Sequence, residues 1–156
     1  KQSLGYGDFV SEDEVPYGKV NKFDEIAFKS ANANFDKAIR LCPTYTPAYV
    51  GKAHLLYSVG EAEEAERLYK KALEAVPNSF EVHLALGNLY SDLKDVQEAI
   101  KSYKRAIKAD KKAPQPYEAL AGIFGRMGLE DKAEECEEKA ERLRKAQTKS
   151  RKKRKK

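Results

Sequence analysis

Hydrophobic and polar positions follow the period of an α-helix along most of the chain. From Lys22 onward, apolar residues recur at steps of three and four, which places them on one face of each predicted helix. Short polar or glycine-containing breaks divide this pattern. They predict one leading helix that ends before Pro43, followed by three helix pairs, over 46–59 with 62–75, 80–93 with 96–109, and 114–127 with 130–147. No segment shows the two-residue alternation of a β-strand, so an all-α fold is expected.

The predicted helices are copies of one unit that recurs every 34 residues. Alanines mark two positions in the second helix of each copy: Ala31, Ala65, Ala99 and Ala133, then Ala38, Ala72, Ala106 and Ala140. Phe35, Tyr69 and Tyr103 lie between them. Small residues let two helix backbones approach closely, and the rings fill the space beside those contacts. Such a period is typical of a stacked helical solenoid.

The residue classes at these positions resemble the tetratricopeptide repeat. The first full copy has nearly the whole family pattern: Tyr49, Ala53, Leu56, Gly60, Ala65, Tyr69, Ala72 and Pro77. The second copy departs from it, because Lys111 replaces the closing proline and His83 occupies the aromatic position. The resemblance implies a right-handed α-solenoid of antiparallel helix pairs, with about three and a half repeats over residues 22–147.

The last predicted helix differs from the second helices before it. Glu137 stands where the other copies have an aromatic ring, and acidic and basic side chains fill most of the remaining positions. A stack of repeats needs a polar outer face at its end. We therefore expect this helix to cap the solenoid.

The resemblance also implies a function. Proteins of this family bind a peptide or helix of a partner in a concave groove lined by the first helix of each repeat, which indicates an interaction scaffold or adaptor in a larger assembly. Carried over position by position, the groove is predicted to contain Val50, His54, Tyr57, Leu84, Asn88, Ser91, Gln115 and Glu118, with Glu81 and Gly122 beside them.

One subgroup of the family clamps the C-terminal carboxylate of heat-shock chaperones with two lysines, an arginine and two asparagines. The corresponding positions here are Val50, His54, Ala85, Gln115 and Ala119, and none matches. Chaperone tails are therefore not the expected partner.

Charge is concentrated at the C-terminus. The net charge is +5, yet residues 144–156 contain no acid, and the rest of the chain has more acidic than basic side chains. Residues 148–156 are predicted to form a basic tail, with Lys149, Arg151, Lys152, Lys153, Arg154, Lys155 and Lys156. Such a segment is a nuclear-import signal, a contact for nucleic acid phosphates, or a solvated tail. The alternative function is thus a ribonucleoprotein or chromatin-associated subunit anchored by the tail.

Residues that could support catalysis are sparse. His54 and His83 have no partner spacing of a catalytic triad or metal site, and His83 falls in a packing position. No enzyme activity, metal or cofactor is predicted. Cys42 and Cys136 are expected to be small buried or half-buried thiols without a disulfide, which fits an intracellular, reducing compartment, with the nucleus favoured and the cytoplasm as the alternative.

Residues 1–21 contain three glycines, a proline and several apolar side chains without a helical period. They predict an extended arm, which either packs against the first helix or a partner, or is disordered. No signal peptide is visible, and no apolar run approaches the roughly 18–20 residues that span a bilayer, so no membrane contact is expected.

Overall fold

The helix pattern of the sequence is confirmed in a computed structural model that describes residues 22–154, while the predicted arm over 1–21 lies outside them. Within that range there are helices and no strand. The seven helices are α1 (Lys22–Leu41), α2 (Thr46–Ser58), α3 (Ala62–Ala75), α4 (Phe80–Asp92), α5 (Val96–Ala109), α6 (Gln115–Arg126) and α7 (Glu130–Arg154). They form a helical solenoid in which α1 is a half repeat and three complete pairs follow.

Small and large side chains meet between the helices as the sequence predicts. Ala65, Ala72, Ala99 and Ala106 have no exposed surface, and the rings of Tyr69 and Tyr103 are 2% exposed. A methyl group placed on Gly87 of α4 would lie 2.6 Å from the Tyr103 ring of α5. The two helices of a pair therefore pack at close to the smallest separation that their side chains permit.

The half repeat attaches to the stack through α2. The ring of Phe35 in α1 lies so close to Gly51 that a Cβ atom there would be 2.5 Å from it. Lys52 forms an ion pair with Asp36, and 18% of the lysine side chain is exposed. This pairing explains why a lysine occupies a position that is leucine in the two later copies, Leu86 and Leu120.

The last helix continues past its predicted end. Helix α7 was predicted to end at residue 147 and instead runs to Arg154, so the described part of the basic tail is helical. Ala140 is its buried residue, and Glu137 is exposed, as expected for a terminal helix.

The turn between the helices of each pair has the same backbone form in all three complete repeats. Gly60, Lys94 and Gly128 have positive φ angles of 88°, 64° and 73°. The amide of each donates a hydrogen bond to the carbonyl three residues earlier, over 3.0–3.1 Å. Glycine adopts this left-handed backbone without steric cost, whereas lysine does not.

We expect Lys94→Gly to raise the free energy of unfolding by about 0.5–1 kcal/mol, because it removes the left-handed strain of a side-chain-bearing residue. The reciprocal change, Gly60→Lys, should lower it by a similar amount, since no atom lies within 4 Å of the new Cβ and only the backbone is affected. Urea unfolding of both variants measures the effect. A loss of stability in Lys94→Gly would contradict this account of the turn.

Candidate partner-binding surface

The first helix of each of the three pairs presents predicted groove residues to solvent. We call these residues the inner face, and they comprise His54 and Tyr57 of α2, Leu84, Asn88 and Ser91 of α4, and Gln115 and Glu118 of α6. His54, Asn88, Gln115 and Glu118 are exposed, Leu84 and Ser91 are half-buried, and Tyr57 is 37% exposed. Helix α2 also packs directly on α4, while α6 packs on α5 and α7.

One predicted groove residue is not available to a partner. Val50 is 9% exposed and belongs to the hydrophobic core. Leu84 and Glu118 occupy the same position in the next two repeats, where they are half-buried and exposed. Exposure at this position thus increases from the first complete repeat to the third, and Val50 is part of the core beneath the inner face.

Asn88 is exposed and also forms a hydrogen bond with a residue of the core. Its Oδ1 accepts a 2.6 Å hydrogen bond from the hydroxyl of Tyr103, a ring of the core. Burial raises the pKa of Tyr103 to about 12, so this hydroxyl keeps its proton at neutral pH. His54, by contrast, lies edge-to-face on Tyr69 with ring centroids 6.4 Å apart. Two inner-face residues are thus positioned by the buried tyrosines.

A third core tyrosine, Tyr90 of α4, is held by a residue of the preceding repeat. The hydroxyl of Tyr90 donates a 2.7 Å hydrogen bond to Glu66, which also pairs with Lys70. The hydrogen bonds from Lys70 and Tyr90 lower the pKa of Glu66, while burial and the carboxylate raise the pKa of Tyr90. This contact joins α3 to α4 across successive repeats and contributes no accessible chemistry.

The C-terminal helix reaches the inner face at its far end. Arg144 of α7 forms a 2.7 Å ion pair with Glu118 of α6. One turn later, the side chain of Gln147 donates a 3.3 Å hydrogen bond to the backbone carbonyl of Lys112 in the α5–α6 loop. These two contacts hold the last turns of α7 beside the beginning of α6.

Between these elements lies an open cleft with a basic lining. We call it the basic cleft, and its polar lining residues are Lys112, Gln115, Gln147, Ser150, Arg151 and Arg154. The structure therefore brings Gln115, predicted for the groove, next to two arginines of the predicted tail. The sequence did not identify Lys112 as part of a site. Its carbonyl accepts a hydrogen bond from Gln147, which lies 35 residues later in the chain. Lys149, Lys152 and Lys153 are exposed on the same helix, and Lys155 and Lys156 lie outside the described residues.

His83 has a structural role, as predicted. It is 7% exposed, and its Nε2 lies 2.9 Å from the carbonyl of Pro77, just as the hydroxyl of Tyr49 donates to the carbonyl of Pro43 over 2.9 Å in the preceding repeat. Burial lowers the pKa of His83. Within residues 22–154, His, Cys, Asp and Glu side chains form no group suited to a metal ion.

The two cysteines are free thiols. Cys136 is half-buried, as expected, and burial raises its pKa. The same expectation was wrong for Cys42, which is exposed because it lies in the loop after α1 rather than under a neighbouring helix.

Comparison with known proteins gives the family. A family model described as the tetratricopeptide repeat matches residues 50–114. Residues 50–114 are therefore tetratricopeptide repeat sequence, in agreement with the helical solenoid of the structure. Its fold is that of a protein–protein interaction scaffold, and partners of this tetratricopeptide chain are accordingly expected to be proteins. No curated protein matches the sequence. No helix in the described part of the chain combines the length and apolarity needed to cross a membrane.

Solved structures share the tetratricopeptide fold at low sequence identity. A crystal structure of MamA is 23% identical, with a TM-score of 0.63, over 80% of this chain and 75% of that one. MamA from Desulfovibrio magneticus RS-1, from residue 41 onward, is 20% identical with a TM-score of 0.64, over 80% and 71%. The pilF protein of Pseudomonas aeruginosa is 23% identical with a TM-score of 0.67, over 78% of this chain and 55% of that one. At this identity the likeness concerns the fold alone.

Proposed function

We propose that the chain is a non-catalytic adaptor that holds a peptide or helix of a protein partner on its inner face. The observation that supports this most is the set of exposed side chains that α2, α4 and α6 present together. His54, Tyr57, Asn88 and Gln115 are exposed on the first helices of the three complete repeats. Tyr57 has an apolar ring that ends in a hydroxyl group. Tyrosines of this kind often contribute a large share of the binding free energy at protein interfaces.

The charge of the inner-face side chains restricts the class of partner segment that can bind there. The four residues just named carry no fixed charge, and Glu118 is already paired with Arg144. The positions that would clamp a carboxylate in the chaperone-binding subgroup include Val50 and Ala85, both buried and apolar. The proposed partner segment is therefore a polar-to-amphipathic helix or strand and not an acidic chain terminus.

Tyr57→Ala should weaken partner capture by about tenfold or more, because truncation of a central interface tyrosine costs ~1–2 kcal/mol or more of binding free energy. The matched control is Tyr45→Ala, since Tyr45 is also exposed, at 52%, but lies in the α1–α2 loop. Partners recovered with each variant from cells of the source are compared by mass spectrometry, and urea unfolding verifies that both remain folded. Equal recovery with the two variants would contradict the assignment.

Asn88→Ala is a less suitable test of the inner face. It would leave the Tyr103 hydroxyl without its acceptor, and the loss of such a hydrogen bond costs ~1 kcal/mol of stability. Gln115→Ala on α6 is the better second variant. The residue is exposed and lies at the edge of the basic cleft.

A second candidate function is the binding of an anionic polymer such as nucleic acid, as in a ribonucleoprotein or chromatin subunit. The basic cleft favours it, because Lys112, Arg151 and Arg154 line one surface and no acidic residue does. Phosphate contacts of this kind position a partner without reading its sequence. The same helix could also act as a nuclear-import signal. The similar solved structures with a named organism are bacterial and do not support a nuclear role.

Replacement of Lys112, Arg151 and Arg154, the basic residues of the cleft, by glutamine should reduce the salt dependence of binding to a uniform single-stranded RNA. The slope of log affinity against log salt should fall in magnitude by about 2, since each neutralised contact contributes ~0.7. The matched control replaces Lys71, Lys104 and Lys108, three exposed lysines of α3 and α5. Fluorescence anisotropy at several salt concentrations measures both. Equal slopes in the two triple variants would contradict a role for the basic cleft.

A further inference from the structure

His83 occupies a position that is tyrosine in the neighbouring repeats, Tyr49 and Tyr117. The hydroxyl of Tyr49 donates to the carbonyl of Pro43, and Nε2 of His83 makes the corresponding contact with the carbonyl of Pro77. An imidazole ring has a second nitrogen, for which tyrosine has no counterpart. In His83 this atom, Nδ1, is closed to solvent and has no hydrogen-bond partner among the described residues. The structural role of His83 therefore accounts for one of its two ring nitrogens.

The contact with Pro77 determines the hydrogen-bonding role of Nδ1. A carbonyl oxygen only accepts, so Nε2 carries the hydrogen, and Nδ1 of the neutral ring has a lone pair. Burial lowers the pKa of His83; the hydrogen bond to Pro77 opposes this shift, and the charge of Arg105 adds to it. The ring is therefore neutral at neutral pH. Nδ1 is a buried acceptor without a donor, which is an unfavourable state for a polar atom.

His83 lines a cleft together with two cations. The cleft has a volume of about 330 Å³ and lies between the end of α3, the beginning of α4 and the last turns of α5. Its lining residues are Leu73, Pro77, Asn78, His83, Arg105 and Lys108, and none of them is acidic. Arg105 and Lys108 are exposed, and neither forms an ion pair within the part of the chain that the structure describes. We call this the histidine cleft.

The neighbouring repeats lack this combination of side chains. In the first complete repeat the positions of the two cations are Lys71 and Glu74, whose charges are opposite. In the third they are Lys139 and Arg142, and Arg142 pairs with Glu138. Both of these repeats have tyrosine at the histidine position. Two cations without an acidic partner and an additional ring nitrogen thus occur together in the second complete repeat.

We propose that the histidine cleft binds a phosphate group that retains one proton. The P–OH group donates a hydrogen bond to Nδ1 of His83, and the anionic oxygens pair with Arg105 and Lys108. Because Nδ1 is closed to solvent, the phosphate group reaches it when exposed side chains of the lining, such as Asn78 and Arg105, rotate. The histidine cleft shares no residue with the inner face or the basic cleft, so the proposal does not depend on the proposed function.

The requirement for a proton restricts the class of anion. Inorganic phosphate retains a proton at neutral pH, whereas sulfate and the phosphodiesters of a nucleic acid backbone have none to donate. Phosphate monoesters lose their last proton with a pKa of about 6, so only a small fraction of them retains it at neutral pH. The ligand that fits best is therefore hydrogen phosphate.

An NMR titration of the full ¹⁵N-labelled chain with inorganic phosphate, at neutral pH and constant ionic strength, tests the site. The chain has two histidines, so the ring nitrogens of His54 provide an internal control. We expect saturable shifts of the ring nitrogens of His83 and none at His54. Sulfate should bind at least about tenfold more weakly than phosphate, because it leaves the buried acceptor without a donor.

Three variants separate the roles of the ring and the cations from a general effect of charge. His83→Tyr keeps a hydrogen bond to the Pro77 carbonyl, as Tyr49 does in the preceding repeat, but has no second nitrogen. It should weaken phosphate binding at least about tenfold, as measured from backbone amide shifts. Lys108→Gln should also weaken it. Lys104→Gln removes the same charge from an exposed position of α5 outside the cleft and should have a much smaller effect.

Phosphoserine, titrated as the free amino acid, identifies the source of the phosphate group. Weaker binding than that of inorganic phosphate assigns the histidine cleft to the free ion, and tighter binding assigns it to a phosphorylated partner. Either result supports the site, because both require the same groups of the chain.

Other results overturn the proposal. The absence of saturable shifts with inorganic phosphate would mean that the cleft does not bind this group. Equal affinity for phosphate and sulfate, or equal losses in Lys104→Gln and Lys108→Gln, would indicate an adventitious ion only. Unchanged phosphate affinity in His83→Tyr would show that Nδ1 takes no part in binding. Urea unfolding verifies that each variant remains folded.

Discussion

The contact between a small residue of one helix and an aromatic ring of the next is the interaction on which this structure depends. Gly87 and the ring of Tyr103 show it most clearly, since even one added methyl group would lie 2.6 Å from the ring. Ala53 and Tyr69 occupy the corresponding positions of the preceding pair, whereas the third pair has Glu137 in place of the ring.

The core tyrosines of these contacts also touch residues of the inner face. Tyr103 fills the space beside Gly87 and donates its hydroxyl proton to Asn88, while Tyr69 supports the ring of His54. A rigid core thus fixes the direction of inner-face side chains before any partner arrives, which reduces the entropy that binding has to overcome. The ends of the stack have no such neighbour on one side. At one end the polar helix α7 terminates the stack, and at the other the small residues Ala31 and Ala38 of α1 are half-buried.

Much of the fold could be predicted because alanine and aromatic positions determine helix packing directly. Helices α2 to α6 begin and end within one residue of the ranges inferred from the sequence. The exposure of individual groove positions could not be predicted in this way: Val50 belongs to the core, whereas Glu118 at the same position of the third complete repeat is exposed and pairs with Arg144. The end of α7 was also missed, since a run of lysine and arginine has no apolar period although these residues favour helix formation.

The central claim is that partners bind on the inner face. Photo-crosslinking tests it most directly, with a benzophenone amino acid at Tyr57 or Ser91 on the inner face, and at Lys71 or Lys104 on the second helices. The account predicts partner adducts from the first two positions and few from the last two. Adducts that form mainly from Lys71 and Lys104 would contradict it.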